Sequence, residues 1–270
     1  MTNATITTAV VLARGLGKRM RAQDGAAMLD GSQSAAADAG MKSMVPVGRP
    51  FLDYVLSVLA DAGFLRACLV IGPEHHAVRK YYTGVRVPQR IGVEFAVQAE
   101  PLGTANAVLA AEAFGGKYEF LVINGDNYYP LDVLREIQGL GNPGTVLFES
   151  ESLVRESNIP RERVQAFATC VVDNEGYLVD IVEKPGEGQM RAAKLISMNC
   201  WRFGPEIFAA CRDVVISPRG EFELPVAVKL AIGRGVRFKT VVSRSGVLDL
   251  SRRSDIEAVA ERLKHARVAL

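Results

Sequence analysis

At 270 residues the chain is long enough to bury a large core as one domain or two small ones. Its 49% hydrophobic and 23% charged residues are ordinary for a soluble globular protein. The 32 basic and 30 acidic side chains leave a net charge of +2 without long like-charge blocks, so charge gives no case for nucleic-acid or membrane partners.

Reading from the N-terminus, there is no basic n-region or cleavage-type segment, and no apolar run approaches a membrane span. Cys68, Cys170, Cys200 and Cys211 form no C-x-x-C pair and sit in apolar surroundings, which reads as buried thiols in a reducing cytoplasm rather than a disulfide frame or zinc site. With only His75, His76 and His265, a histidine-based metal centre is improbable, and His75-His76 reads as an exposed helix start.

Residues 8–13 form a β-type apolar run that stops at Arg14-Gly15-Leu16-Gly17-Lys18-Arg19. Two glycines let backbone N–H groups approach an anion, and Arg19 adds a planar fork suited to phosphate oxygens. A polyphosphate loop at the carboxyl edge of a first strand is one reading; a solvated basic turn is the other. The dinucleotide fingerprint is incomplete because Met20 occupies the third glycine position, and the Walker spacing is absent.

Residues 21–40 lack a hydrophobic period and read as a long mobile flap, with a short helix on the alanine run as the alternative. Residues 41–47 return to the sheet, and 51–63 read as a helix with Phe51, Val55, Val58, Leu59 and Ala62 on one face and Gly63 as its cap. Strands over 66–72, 91–98 and 120–123 alternate with helices over 73–82 and 103–113. This alternation argues for a mostly parallel three-layer α/β sheet. Further on, strands are expected at 145–149, 166–172 and 177–183, with Asp173-Asn174-Glu175-Gly176 as a hairpin-type turn. The segment 194–203, helices over 205–211 and 223–232, a strand over 237–242 and the segment 246–250 follow. A terminal helix opened by Ser251 carries Ile256, Val259 and Leu263 on one face. With no repeat or linker, residues 1–270 read as one mixed-sheet domain with a substrate-side insertion.

Polar groups end several of these elements. Gln98 to Thr104 leads from a strand to a helix N-terminus, where free N–H groups and an amide can read a base or hold a phosphate. The alternative is an ordinary helix entry. Asp126, after Asn124-Gly125, stands where a sheet-edge carboxylate can hold Mg2+ together with phosphate oxygens, or is a solvated turn residue. Asp249, bracketed by apolar residues, is either a second metal ligand or a helix cap. Glu183-Lys184-Pro185 offers an acceptor and a cation to a phosphorylated polyol, or is a strand stop at proline. Lys42 taken alone reads as a surface lysine.

The order of these signals resembles the sugar-1-phosphate nucleotidyltransferases. VVLARGLGKRM is similar to that family's glycine-rich loop, normally L-A-[AG]-G-x-G-T-R-[LM], and KSMVPVGRPFLDYVLSVLADAG to its lysine-bearing segment. EPLGTANAV, LVINGDN, VEKP, MNCWRF and RGEFEL follow in the family's order, covering residues 10–255, with 123–127 and 219–224 nearest the glucose-1-phosphate thymidylyltransferase type.

The resemblance implies a Rossmann-like α/β/α nucleotidyltransferase fold, also described as GT-A-like. It also implies transfer of a nucleotidyl group from a nucleoside triphosphate to a sugar-1-phosphate. A sugar phosphate with its second pKa near ~6 needs no protein base, so the task is in-line positioning and charge neutralisation. On this basis Arg19 and the loop positions Ala13, Gly15 and Gly17 grip the triphosphate, and Lys42 lies near the attacked phosphate. Gln98, Gly103 and Thr104 hold the nucleotide; Gly125, Glu183, Lys184 and Asn199 hold the sugar phosphate; Asp126 and Asp249 hold Mg2+. Relatives are often dimers or tetramers, so a homo-oligomer is compatible, and the β-helix or acyltransferase extension of some relatives is expected to be absent.

Arg14, Lys18, the long flap, Cys200-Trp201 and Pro225-Val226 depart from the pattern. The first two are expected to add positive charge near the phosphates. Three rivals remain at this stage: a nucleotide-sugar glycosyltransferase, which would prefer a D-x-D motif; a cytidylyltransferase of non-sugar phosphates; and a non-catalytic nucleotide-sugar sensor.

Overall fold

Alternation along the strands decides the layering. In the computed structural model, which describes residues 5–15, 17–22, 24–25, 27–183 and 194–270, strand β1 (Thr8–Leu12) pairs in parallel with β2 (Arg66–Ile71) and β4 (Phe120–Asn124). β2 pairs in parallel with β3 (Gly92–Val97). Ala9, Val11, Leu69, Leu121 and Ile123 enter one hydrophobic core, while Val10, Leu12, Val70, Phe120 and Val122 enter another. Successive strand side chains point to opposite faces, so a sheet apolar at every position must be covered on both sides.

The first core receives α2 (Gly31–Asp38) through Ala37, α3 (Phe51–Asp61), α7 (Leu131–Gln138) and α12 (Asp255–Leu263). The second receives α5 (Thr104–Ala110), α10 (Glu206–Arg212) and α11 (Leu224–Gly233). Three layers result, as the alternation of elements predicts.

Beyond β4 the sheet turns mixed. β9 (Leu195–Phe203) runs antiparallel to β4 and to β6 (Gly144–Glu149), and β6 pairs in parallel with β10 (Lys239–Ser243). The hairpin of β7 (Ala168–Val172) and β8 (Leu178–Val182) attaches to β9. Its turn forms as expected: Asp173 Oδ1 accepts from the N–H groups of Glu175 and Tyr177, and Gly176 adopts φ 81°. The sheet order β3-β2-β1-β4-β9-β6-β10 places a topological switch point between β1 and β4, and ligands of open α/β sheets bind in the crevice beyond that point.

Four expectations are corrected. The 21–40 segment is not a structureless flap: it carries α1 (Lys18–Arg21) into its start and α2 at its end. Asp30 and Gln33 cap α2 reciprocally, at 2.8 and 3.1 Å, a D-x-x-Q signal present in the sequence. Helix α3 buries every residue from Phe51 to Leu59 rather than one face. Its outer side is used too: Asp53 accepts from the Tyr81 and Tyr82 hydroxyls, and Ser57 Oγ accepts from Ala269 N–H. His75 is buried, its Nδ1 taking the Gly72 N–H at 3.3 Å, while His76 is exposed. The last helix starts at Asp255, not at Ser251. Helices α7, α8 (Ser150–Glu156) and α9 (Arg161–Val164) were not anticipated.

Candidate active site

The site begins where β1 and β4 end side by side. Gly125 N–H donates to Leu12 O at 2.9 Å and Ala13 N–H to Val70 O at 3.0 Å. A Cβ on Gly125 would lie 3.1 Å from Leu12 O, so glycine lets the two strand ends approach. Here two adjoining cavities open. One of about 220 Å³ is lined by Ala13, Gly15, Lys42, Gly125, Asp126 and Asn199 among others. The second, about 230 Å³, is bordered by Gly15, Gly17, Lys18, Arg19, Gln98 and Gly103. Lys42, Thr104, Arg14 and Gly15 belong to both. A cavity of about 750 Å³ elsewhere, beside Glu149, Arg161, Thr169 and Lys194, contains none of the sequence-predicted residues, and size alone does not locate the chemistry.

Backbone conformation builds the second cavity. Gly17 is left-handed at φ 59°, and a Cβ there would stand 2.6 Å from Gly40 Cα, so the loop packs directly on the chain leaving α2. Gly103 has φ 109°, and a Cβ would stand 2.6 Å from Phe222 O. The turn before α5 pairs with that same segment: Phe222 N–H donates to Leu102 O, Ala105 N–H to Phe222 O, and Leu224 N–H to the Thr104 hydroxyl. EPLGT and RGEFEL, far apart in sequence, thus form one wall. Gln98 is buried, and its amide N–H groups are given to Gly103 O at 3.0 Å and Asn106 Oδ1 at 2.8 Å.

In the first cavity Lys42 Nζ lies 2.8 Å from Asp126 Oδ2. The Asp126 carboxylate holds the Lys42 ammonium above its ordinary pKa, outweighing burial. Lys42 is therefore a paired cation at the cleft rather than a surface lysine. Asn199 adopts φ 59°, where Asn is tolerated, at the point where the register of β9 against β6 shifts. Its Oδ1 accepts from the Trp201 indole.

Behind Asp126, the short strands β5 (Asn127–Tyr128) and β11 (Leu248–Asp249) pair antiparallel, with Asp249 opposite Asn127. Leu250 N–H also donates to Asp126 O at 2.9 Å. Asp126 and Asp249 therefore adjoin. Burial, then the Asp126 charge, pushes the Asp249 carboxyl up to about 6 despite the neighbouring Arg163. Asp249 does not cap a helix: its Oδ1 takes bonds from Asn127 Nδ2 and Ser251 Oγ, and Asp255 instead accepts the Ser251 and Arg252 N–H groups.

Other residues fall differently from expectation. Arg14 is not a free phosphate cation; its guanidinium is paired with Glu74 at 3.2 Å and with Gln98 O. Glu183 lies toward Arg219, 3.6 Å away, rather than among the residues bordering the two cavities. Lys184 lies outside the described residues.

Sequence reasoning missed Arg253, which is buried and donates from Nε to Met20 O and Ala22 O while pairing with Asp38. It ties α1, and with it Lys18 and Arg19, to the turn that follows Asp249. Arg163, which joins Asp249 to Asp255, was missed as well. No local pattern marks either residue, because each acts on partners distant in the chain.

The nucleotidyl transferase family profile matches residues 37–250. The UTP–glucose-1-phosphate uridylyltransferase AglF of Haloferax volcanii is 26% identical over 257 residues, covering 95% of this chain and 96% of that protein. A glucose-1-phosphate thymidylyltransferase of Streptomyces griseus is 28% identical over 87% of this chain and 60% of its own. The chain also spans 58% of the nucleotidyltransferase Agl11 of Haloferax volcanii. A UDP-glucose pyrophosphorylase structure complexed with UDP-glucose superposes with a TM-score of 0.75 at 18% identity, over 97% of this chain and all of that one. At that identity the likeness shows the fold.

Proposed function

Because the chain belongs to the nucleotidyl transferase family, we propose that it joins the nucleotidyl group of a nucleoside triphosphate to a sugar-1-phosphate, releasing pyrophosphate. The observation that carries this reading is the convergence of the glycine loop, Lys42, Asp126 and Asn199 on one cleft at the β1/β4 switch point.

The incoming phosphate is its own nucleophile, so catalysis consists of aligning two anions and neutralising the leaving group. Gly15, Gly17 and Arg19 would bind the triphosphate along the second cavity. Lys42, held at the junction of both cavities by Asp126, would contact the attacked α-phosphate. Asn199 and Gly125, with Lys184, would hold the sugar phosphate. Gln98 has spent its amide hydrogens on Gly103 and Asn106, which leaves its carbonyl oxygen to accept from the base. An acceptor there fits the ring N–H of uracil or thymine, the bases named for the relatives AglF and the thymidylyltransferase.

Among the described residues no group of three or more His, Cys, Asp or Glu gathers as a metal cluster. Mg2+, however, is satisfied by one or two carboxylates plus substrate phosphates. Asp126 and Asp249, brought next to each other by the β5–β11 pairing, would be the carboxylates to hold it. Bound there, Mg2+ would neutralise phosphate oxygens as charge shifts to the pyrophosphate.

We further infer a single domain, because the cores on both faces share one sheet. The four buried free cysteines suit a reducing compartment such as the cytoplasm.

The test is pyrophosphate release with Mg2+, crossing the common nucleoside triphosphates with a panel of sugar-1-phosphates. Release that requires both substrates and is lost with chelator is expected, with UTP or dTTP preferred over ATP and CTP. Tight nucleotide binding without any release would refute the transferase reading in favour of a binding protein.

A further inference from the structure

Asp249 is held more firmly than its place on a two-residue strand requires. Its Oδ1 accepts from Asn127 Nδ2 at 3.0 Å and from Ser251 Oγ at 3.1 Å, and its Oδ2 is paired with Nη2 of Arg163. A carboxylate offers about four acceptor positions; three are occupied, and the remaining one lies on Oδ2.

The guanidinium that occupies the neighbouring position is itself fixed. Arg163 is buried, and its Nη1 donates to Asp255 Oδ1 at 2.7 Å. Asp255 Oδ2 is anchored by the N–H groups of Ser251 and Arg252 at 2.9 and 2.8 Å. Arg163 therefore spans the turn that follows Asp249 and grips both of its ends. Its Nε is the buried side-chain polar atom left without a hydrogen-bond partner among the described residues. An unpaired buried donor is costly, and the orientation that imposes this cost is the one in which the two Nη groups reach Asp249 and Asp255 together.

We propose that Arg163 is a positioning residue: by bridging Asp249 and Asp255 it fixes the Asp249 carboxylate so that one acceptor position on Oδ2 stays available to the divalent cation shared with Asp126. This rests on the assignment of Asp249 as a metal ligand. The residue lies in α9, outside every motif that carries the family resemblance, and it touches neither cavity lining described above. Groups that orient a metal ligand typically change metal affinity 10- to 100-fold when replaced.

The experiment measures Mn2+ binding to the full chain with nucleotide present, by the EPR signal of the free ion, for the native protein, Asp249→Asn, Arg163→Lys and Arg163→Met. Thermal stability and metal-free nucleotide affinity are measured in parallel. Arg163→Lys keeps the charge but loses the two-pronged reach and decides the test even if Arg163→Met fails to fold. The expected result is Mn2+ affinity weakened about 10- to 100-fold in the Arg163 variants, with metal-free nucleotide affinity within about twofold of native and kcat recovering at high Mg2+. Unchanged Mn2+ affinity in Arg163→Lys, with affinity lost in Asp249→Asn, overturns the role of Arg163 while leaving the metal site intact. Native-like Mn2+ affinity in Asp249→Asn overturns the metal assignment, and this inference with it.

Discussion

Arg253→Met isolates the contact that ties the glycine-rich loop to the rest of the cleft. Arg253 is 5% exposed, donates from Nε at 3.0 Å to Met20 O and 3.1 Å to Ala22 O, and pairs with Asp38 through Nη2. Hydrogen bonds made by a charged group contribute about 1.5–3 kcal/mol. Asp38 is 59% exposed, so its limb adds little. A loss of about 2–3 kcal/mol in unfolding free energy is therefore expected, read from urea denaturation. Because Met20 and Ala22 close the helix that carries Lys18 and Arg19, the triphosphate grip should loosen as well. The KM for nucleoside triphosphate in a pyrophosphate-release assay should rise about tenfold, equivalent to about 1.4 kcal/mol. Asp38→Asn should leave both quantities near native. If Arg253→Met loses stability as expected while KM and kcat stay within about twofold of native, the contact supports the fold alone and the loop-positioning argument is wrong.

Arg19→Ala and Asp126→Ala should each lower kcat by about a hundredfold or more with the fold intact by circular dichroism; near-native turnover in either would contradict the roles given to them. Gly103→Ala should cost about 1–3 kcal/mol of stability through its φ of 109° and raise nucleotide KM, since a Cβ would drive against Phe222 O. Burial holds His75 below its ordinary pKa, so the unfolded chain binds its proton first. The stability this residue contributes is complete above about pH 6.5 and is lost as pH falls from there toward the folded-state value. His75→Asn, which retains an acceptor for the Gly72 N–H, should flatten that part of the urea midpoint against pH; an unchanged slope would show that other groups set it. Burial pushes the Cys68, Cys170 and Cys211 thiols up to about 12, and Cys200 is fully buried. The native protein should resist a disulfide-exchange reagent at pH 8, with all four thiols reacting after denaturation; fast stoichiometric labelling of the folded chain would disprove their burial.

Local pattern determined most of the architecture. The apolar runs of β1, β2 and β4, the Pro-Leu-Gly-Thr entry to α5 and the Asp173–Gly176 turn are written in consecutive residues, because strand period, turn chemistry and helix entry act over a few positions. The same range covers the D-x-x-Q cap of α2 and the apolar Val133, Leu134 and Ile137 of α7. The cleft residues Gly15, Lys42, Gly125 and Asp126 were legible through the order of motifs. What tertiary structure decided is which charges meet. Arg14 reads as a phosphate cation until Glu74 is found beside it, and Asp249 reads as either a metal ligand or a helix cap until Asn127 and Arg163 close on its carboxylate. The partners in these contacts lie between 60 and 122 residues apart along the chain. An ionisable side chain takes its role from whichever group shares its low-dielectric surroundings, and that neighbour is chosen by the packing of the whole sheet, not by adjacent residues.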